Sequence, residues 1–259
     1  RLYYRLDPTY YFNKFIILQH FERLRSSGHQ LVPLHKLLAK MNAGKSPEGG
    51  VTRSTGEIPS ITITNITRDG TLDFSFDLNF VPDDFYNEFN RIKGGAAYLD
   101  IFIAKDGATT GKTAIIDDSF PFLDRSQNPP IPKAIFSEHV FRLRMKRGVN
   151  PLYIHAFLNS ELGQLQLETV TSGGAQGGIT TDFVKEIYIP VVDEITQKSI
   201  AEHWVSGMRE TDILRRQYEE SVNETKKEVD RMIENAQPLS DEQLHEILVL
   251  HEEIEEENN

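Results

Sequence analysis

The sequence predicts an α+β protein in which a mixed β-sheet domain with flanking helices is followed by a long coiled-coil helix. Three observations lead to this class. Apolar residues recur at helical spacing in the first 40 residues, and the pattern changes to strand-like alternation between residues 58 and 143. Residues 195–236 then form one long helical pattern. We therefore expect three regions: residues 1–194, 195–236 and 237–259.

The N-terminal region predicts two helices and a loop. The first helix is predicted by a partial helical stripe, which ends at Gly28: Phe12, Phe15, Ile16, Gln19, Phe21 and Leu24. A second short helix is predicted by Val32, Leu34, Leu37 and Leu38. Residues 43–57 are rich in glycine and small polar residues, which favours a loop.

The middle of the chain predicts strands. Residues 58–66 alternate with period two, two short β-branched runs follow at 98–105 and 112–118, and residues 134–145 alternate again. The connections between these runs are too short for helical crossovers, so the sheet should be antiparallel or mixed. The next segment predicts a helix over 151–168, with Asn150 as N-cap and Pro151 in its first turn. A glycine-rich loop and a short strand ending at Pro190 follow.

The long helical pattern contains a heptad seam. Its seam residues are spaced 4, 3, 4, 3 and 4 apart: Tyr218, Val222, Thr225, Val229, Met232 and Ala236. Gln237-Pro238 should end this helix, and Ser240 with Gln243 predicts the capping box of a last helix. The seam predicts a helix that packs against a partner helix, either in a second copy or in another protein.

Composition narrows the class of protein. The 259 residues are 39% hydrophobic and 26% charged, as in ordinary globular proteins. There is no apolar run of about 18 residues and no secretion signal, so we expect a cytoplasmic protein without membrane contact. There are no cysteines, and the eight histidines lack metal-ligand spacing, so we expect neither a metal nor a cofactor.

The net charge of −11 is unevenly distributed. Residues 1–190 hold 21 Lys+Arg and 20 Asp+Glu, whereas residues 191–259 hold 7 and 19. An acidic chain is usually a poor candidate for nucleic-acid binding. Here that objection applies only to the C-terminal quarter.

Two motifs approach catalytic patterns without completing them. Residues 107–113 (GATTGKT) resemble a phosphate loop, but three residues separate the glycines where the loop needs four, and a strand follows. A hairpin turn is the better interpretation. Residues 128–131 (NPPI) are similar to a methyltransferase motif, but Ile131 cannot stack on a base. We therefore expect no catalysis by the chain alone.

Several segments in order resemble the specificity subunits of type I restriction-modification systems. These segments are residues 5–11 (RLDPTYY), 44–47 (GKSP), 58–74 (IPSITITNITRDGTLDF), 99–117 (LDIFIAKDGATTGKTAIID), 149–167 (VNPLYIHAFLNSELGQLQL) and 172–192 (SGGAQGGITTDFVKEIYIPVV). Asp100 matches the family pattern, whereas Leu99 replaces its usual glycine and Phe183 its usual leucine. The long helix falls where the family has its spacer helix.

The resemblance implies a DNA target-recognition domain at 1–194 and a spacer helix at 195–236 that docks methyltransferase subunits. The usual subunit carries two of each, and this chain has room for one, so it resembles a half-subunit that reads half of a bipartite target. The implied partners are double-stranded DNA, methyltransferase subunits, a restriction/translocase subunit and, through the helix, a second copy.

Candidate binding residues lie on the loops. For phosphate contact they are Lys45, Arg53, Arg68, Lys105 and Lys112, and for base-edge contact Thr109, Thr110 and Gln176. A second candidate phosphate patch consists of Arg142, Arg144, Lys146 and Arg147. The assembly residues are Tyr218, Val222, Val229 and Met232. Two other interpretations stay open: the C-terminal recognition module of a single-chain restriction-methyltransferase enzyme, and a coiled-coil adaptor without a nucleic-acid role.

Overall fold

A computed structural model gives the fold and describes residues 8–48, 56–75, 78–171 and 178–245. The helices are α1 (Pro8–Ser26), α2 (Asp83–Lys93), α3 (Pro151–Asn159), α4 (Glu161–Thr171) and α5 (Glu194–Asn235). The strands are β1 (Gln30–Pro33), β2 (Leu38–Ala43), β3 (Ile58–Ile61), β4 (Phe80–Val81), β5 (Ile101–Ala104), β6 (Thr113–Ile115), β7 (Leu123–Asp124), β8 (Ile131–Pro132), β9 (Ile135–Phe136), β10 (Val140–Met145) and β11 (Tyr188–Val191). The chain divides into two units, residues 1–209 and residues 210–259.

A four-stranded antiparallel sheet, in the order β2-β10-β5-β6, organises the first unit. A second sheet has the order β4-β3-β9, and its β3–β9 pair is parallel. Together with the helices, these sheets make the protein α+β with mixed strand directions, which confirms the predicted class.

The two faces of the four-stranded sheet belong to two hydrophobic cores. Side chains alternate along a strand, so Ile101 and Ile103 pack with residues of α3 and α4, whereas Phe102 and Ala104 pack with the second sheet and α2. Phe102 lies 5.4 Å from Phe136 of β9 between ring centroids. The sheet is thus covered on both sides, and functional residues are left to its loops.

The predicted N-terminal helix is confirmed, but of its predicted stripe only Phe21 is fully buried, with Ile16 and Leu24 half-buried. The buried residues are Asn13, Ile17 and Phe21, at four-residue spacing, and this narrow stripe faces α4. Phe12 and Phe15 are exposed. The stripe was misplaced because this helix has aromatic residues on both faces, so periodicity alone could not select the buried one.

The predicted second helix is wrong. Residues 30–33 form β1 and residues 38–43 form β2, separated by a 3-10 turn at Leu34–Lys36. β1 pairs with β11 and β2 pairs with β10, more than 90 residues further along the chain. Pairing between distant segments therefore overrides the local apolar spacing. Pro190 lies within β11, opposite Leu31, rather than ending the strand; a two-stranded sheet tolerates a proline because both strands are edges.

Three other boundaries differ from the prediction. Helix α2 lies inside the region assigned to strands, preceded by Pro82, with Asp83 and Asp84 in its first turn. Residues 134–145 form two strands, β9 and β10, in different sheets. The helix predicted at 151–168 is divided at Ser160, although its Asn150 cap is confirmed by hydrogen bonds from the amides of residues 152 and 153.

The predicted long helix is confirmed as α5, whose 42 residues extend about 60 Å at 1.5 Å per residue. In the first unit, Ala201 and Met208 of this helix are buried. In the second unit, the large apolar residues of the helix are mostly exposed, including Tyr218 at 70% and Met232 at 67%. The capping box of Ser240 and Gln243 is present, with both reciprocal hydrogen bonds.

Candidate nucleic-acid interface

The hairpin between β5 and β6 is the centre of the candidate site. Its connection, residues 105–112, turns through Gly107 and Gly111, with φ of 79° and 86°. The Gly111 amide donates to the Ala104 carbonyl (2.9 Å) and the Thr110 amide to the Gly107 carbonyl (3.2 Å). Because β6 rather than a helix follows Lys112, the hairpin interpretation is confirmed and the phosphate-loop alternative is wrong.

Backbone hydrogen bonds place two further loops beside this hairpin. The Lys105 amide donates to the His139 carbonyl (2.9 Å), and the Lys45 amide donates to the Phe136 carbonyl (3.0 Å). The Ser46 hydroxyl donates to the Glu138 carboxylate at 2.5 Å. The hairpin, the turn 137–139 and the loop 44–48 are therefore neighbours.

A fourth loop, residues 62–72, completes this surface. The Thr109 hydroxyl donates to the Ile63 carbonyl (3.3 Å), and a Cβ on Gly107 would lie 3.1 Å from the Ile63 side chain. The Ile179 amide donates to the Lys105 carbonyl (2.7 Å), which brings the end of the glycine-rich segment alongside. We call these four loops (44–48, 62–72, 105–112 and 137–139) the loop edge.

Arg68 and Lys112 form an uncompensated cationic pair on the loop edge. Burial, and after it the charge of Arg68, lowers the pKa of the Lys112 ammonium below its ordinary value. Among the described residues, neither side chain has a carboxylate partner or a hydrogen bond. Two neighbouring cations of this kind raise each other's electrostatic energy, and an anion placed between them would lower it.

The other described residues that were predicted to contact DNA already interact with groups of the protein itself. Lys45 pairs with Glu88 at 3.4 Å, and the Lys105 ammonium lies 5.8 Å from the centroid of the Phe141 ring. The Thr110 hydroxyl donates to the Gly107 carbonyl (2.6 Å). Arg53 and Gln176 lie outside the described residues.

The predicted second phosphate patch is wrong at its centre. Arg142 is fully buried, and its guanidinium donates to the carbonyls of residues 93, 94 and 95 and to the Asn42 side chain, at 2.5–3.1 Å. Arg144 forms a two-pronged ion pair with buried Asp100, at 2.8 and 2.7 Å. Arg142 thus satisfies the carbonyl of Lys93, the last residue of α2, and together the two arginines satisfy the carbonyls of Gly94 and Gly95 that follow it, so they stabilise the fold.

A supporting cluster behind the loop edge was missed from the sequence. A Cβ on Gly70 would lie 3.1 Å from Trp204 of α5 and 3.3 Å from Asn159 of α3. The Trp204 indole donates to Nδ1 of buried His155 (3.2 Å), and the Asn159 amide donates to the Thr113 hydroxyl (2.6 Å). The positions of Arg68 and Lys112 thus depend on α3 and the start of α5. The one local sign was the positive φ that Arg68-Asp69-Gly70 demands of its glycine.

The described part of the chain contains no group of three metal-binding side chains. None of its helices is both long and apolar enough to cross a membrane. The arrangement therefore offers a set of polar loops around a cationic pair, on a sheet fixed from both sides.

Comparison with solved structures finds similar folds at low sequence identity. The HsdS subunit from Thermoanaerobacter tengcongensis is 12% identical, with a TM-score of 0.45; the match covers 80% of this chain and 47% of that subunit. The type I restriction-modification S subunit from M. genitalium is 13% identical, with a TM-score of 0.44 and coverages of 90% and 56%. The type IIG restriction endonuclease BpuSI is 10% identical, with a TM-score of 0.49 and coverages of 74% and 28%.

This chain thus spans about half the length of the solved specificity subunits that it matches. No curated protein matches the sequence significantly. A family model described as the type I restriction modification DNA specificity domain matches residues 30–220, which is most of the chain. The chain therefore belongs to the family of type I restriction modification DNA specificity domains.

Proposed function

We propose that this chain is a DNA-specificity component of a type I restriction-modification system and contacts double-stranded DNA through the loop edge. The observation that carries this proposal is the Arg68–Lys112 pair, two neighbouring cations without a carboxylate partner among the described residues. A DNA phosphate supplies the missing anion. The chain itself performs no chemical step in this proposal.

Different residues make the phosphate contacts and the base contacts in this proposal. Arg68 and Lys112 bind phosphates and fix the register of the protein on the duplex, while Thr109 and Thr110 of the hairpin contact base edges. Lys45 and Lys105 exchange their present partners for phosphates. Residues 1–209 hold 23 Lys+Arg and 23 Asp+Glu, so the first unit has no net charge to repel DNA.

The second unit serves assembly in this proposal. It holds 5 Lys+Arg and 16 Asp+Glu, which disfavours DNA contact. Its exposed seam docks methyltransferase subunits, which supply the chemistry, and a translocase subunit joins through them. One chain carries one recognition unit and reads one half of a bipartite target.

Substitution of the cationic pair tests the DNA interface. Lys112→Ala and Arg68→Ala should each weaken DNA binding and reduce the slope of log affinity against log salt by about one, the value for one lost phosphate contact. Lys198→Ala is the matched control, because it removes the same charge from an exposed position on α5. Fluorescence anisotropy with labelled duplexes over a salt series measures both quantities. Equal slopes for all three variants and the wild type would remove the loop edge from the interface.

A further inference from the structure

Two cations lie directly opposite each other at the end of the four-stranded sheet away from the loop edge. In the antiparallel pair of β2 with β10, Lys40 is the register partner of Arg144. Like charges at opposed positions of a sheet are destabilising. Both side chains reach solvent, because Lys40 is exposed and the side chain of Arg144 is 35% exposed. This cross-strand pair therefore favours the binding of a negative charge.

The charges of the protein around this pair do not balance. Among the described residues, Asp100 is the one carboxylate that pairs with these cations, and Arg144 holds both of its oxygens, at 2.8 and 2.7 Å. Buried Arg142 has its Nη1 atom 3.9 Å from the same carboxylate. Three positive charges, those of Lys40, Arg142 and Arg144, thus share one negative charge. The carbonyls at the end of α2 add only about half a negative charge.

Both exposed cations keep hydrogen-bond donors for a ligand. The Lys40 ammonium donates to the Lys93 carbonyl (2.9 Å) and lies over Gly94, where an added Cβ would be 2.7 Å from the ammonium nitrogen. An ammonium has three hydrogens, so two remain. Arg144 donates from Nε and Nη2, to Asp100 and to the Gly95 carbonyl, and forms no hydrogen bond from Nη1 within the described ranges.

The electrostatics of Lys40 agree with this surplus of positive charge. Burial, and after it the charges of Arg142 and Arg144, lowers the pKa of the Lys40 ammonium below its ordinary value. An anion bound beside the ammonium would offset this repulsion. A phosphate has oxygens in several directions, so one phosphate can accept from an ammonium and from a guanidinium at once.

We infer that Lys40 and Arg144 form a second anion site, which binds a phosphate-class oxyanion between the Lys40 ammonium and Nη1 of Arg144. Arg144 lies four residues beyond the start of β10, about 14 Å along the strand at about 3.4 Å per residue, so this site is separate from the loop edge. The inference goes beyond the proposed function, because it uses no residue of the loop edge. The oxyanion is either a backbone phosphate of the duplex or free inorganic phosphate.

A phosphate titration of the full chain tests the site. The amide NMR resonances of Gly94 and Gly95, which adjoin the two cations, should shift saturably when phosphate replaces chloride at constant ionic strength. Lys40→Gln keeps a donor for the Lys93 carbonyl but removes the charge, so it should raise the phosphate Kd by roughly tenfold or more. Lys198→Gln removes the same charge from an exposed position on α5 and should leave the Kd unchanged. Urea unfolding checks that each variant is folded.

DNA binding identifies the source of the phosphate. If the site holds a backbone phosphate, Lys40→Gln should also reduce the slope of log affinity against log salt by about one. An unchanged slope, together with the weakened phosphate binding, identifies free phosphate as the ligand. A wild-type chain that binds no DNA would contradict the proposed function, and the phosphate titration would still decide the anion site.

Two outcomes would overturn the inference. Shifts that do not saturate, or an equal phosphate Kd in the wild type and Lys40→Gln, would leave Lys40 with the single role of capping α2. Saturable binding of an oligo-glutamate peptide without binding of phosphate would assign the site to an acidic protein partner instead.

Discussion

Leu99 adopts a left-handed backbone conformation, with φ of 65°, immediately before Asp100 and β5. Its amide donates to the Ile116 carbonyl (2.8 Å), which holds the turn in place, and its side chain packs against the first hydrophobic core. A leucine in this conformation costs about 1–2 kcal/mol relative to ordinary backbone. The resemblance to the family places a glycine here, and the structure gives the physical reason for that preference.

At position 99, glycine should destabilise the protein less than isoleucine, although isoleucine is usually the milder replacement for a partly buried leucine. Leu99→Gly loses packing but relieves the strain, so it should change the free energy of unfolding by less than about 1 kcal/mol. Leu99→Ile keeps the volume but places a β-branched side chain at positive φ, and should cost about 2 kcal/mol. Urea unfolding measures both. A glycine variant less stable than the isoleucine variant would show that packing outweighs backbone strain here.

His155 makes the stability of the first unit depend on pH. Burial lowers its pKa to about 4, and its Nδ1 accepts a hydrogen bond from Trp204 that requires the neutral ring. The unfolded chain takes up a proton near pH 6.5, which the folded protein excludes. The free energy of unfolding should therefore fall as the pH falls from 6.5 to about 4, by up to about 3 kcal/mol from this residue.

The single tryptophan of the chain reports on this histidine directly. Urea unfolding at a series of pH values, followed by Trp204 fluorescence, should give a pH profile that is steeper for the wild type than for His155→Gln. Glutamine can still accept from the indole but does not titrate, so carboxylate effects common to both proteins cancel. Parallel profiles would contradict a neutral buried histidine.

At the scale of elements, the arginines of β10 join the four-stranded sheet to α2. Arg142→Met would leave the Gly94 carbonyl and the Asn42 side-chain oxygen without their buried donor and remove one of the donors to the carbonyls of residues 93 and 95, and should cost about 3–5 kcal/mol. Lys146→Met is the matched control, because Lys146 lies just beyond the same strand and is exposed, and it should cost less than about 1 kcal/mol. Chemical unfolding of both variants makes the comparison. Similar losses would contradict a structural role specific to Arg142.

Elements whose signals are local were predictable from the sequence. The proline-free pattern of α5, the Asn150 cap and the glycines of the 105–112 hairpin each specify a structure within a few residues. β1, β2 and the burial of Arg142 were not predictable, because their partners lie far along the chain. Two arginines at alternate positions of a strand are compatible with a phosphate contact and with buried hydrogen bonds to backbone carbonyls. Only the tertiary structure distinguishes these two roles.

The same distinction applies to the candidate site. Arg68 and Lys112 were predicted as separate loop cations, and only the fold brings their two loops together, through the hydrogen bond from Thr109 to the Ile63 carbonyl. Gly70, Asn159 and Trp204, which support them, come from three distant segments and carry no shared sequence signal.

At the scale of the whole molecule, the seam should control assembly without affecting the fold of the first unit. Val222→Asp with Val229→Asp places two charges in the heptad seam and should abolish binding of methyltransferase subunits and self-association. Gln217→Asp with Asn223→Asp adds the same charges to the opposite side of the helix and should leave both intact. Co-purification and sedimentation measure assembly, while Trp204 fluorescence checks the fold. Equal behaviour of the two double variants would show that the seam is not an interface.

The pairing of β1 with β11 also determines when the first unit can fold during translation. Gln30 has its partner at Val191, so the N-terminal strand waits for 161 further residues to be translated. At a translation rate of about 5–20 residues per second, that delay is roughly 10–30 s. During this time β1 has no strand partner while the rest of the chain is still being synthesised on the ribosome. β1 has only four residues, which limits the hazard of wrong pairing during that interval. The first unit can therefore complete its fold only when α5 begins to be synthesised, because β11 immediately precedes that helix in the chain.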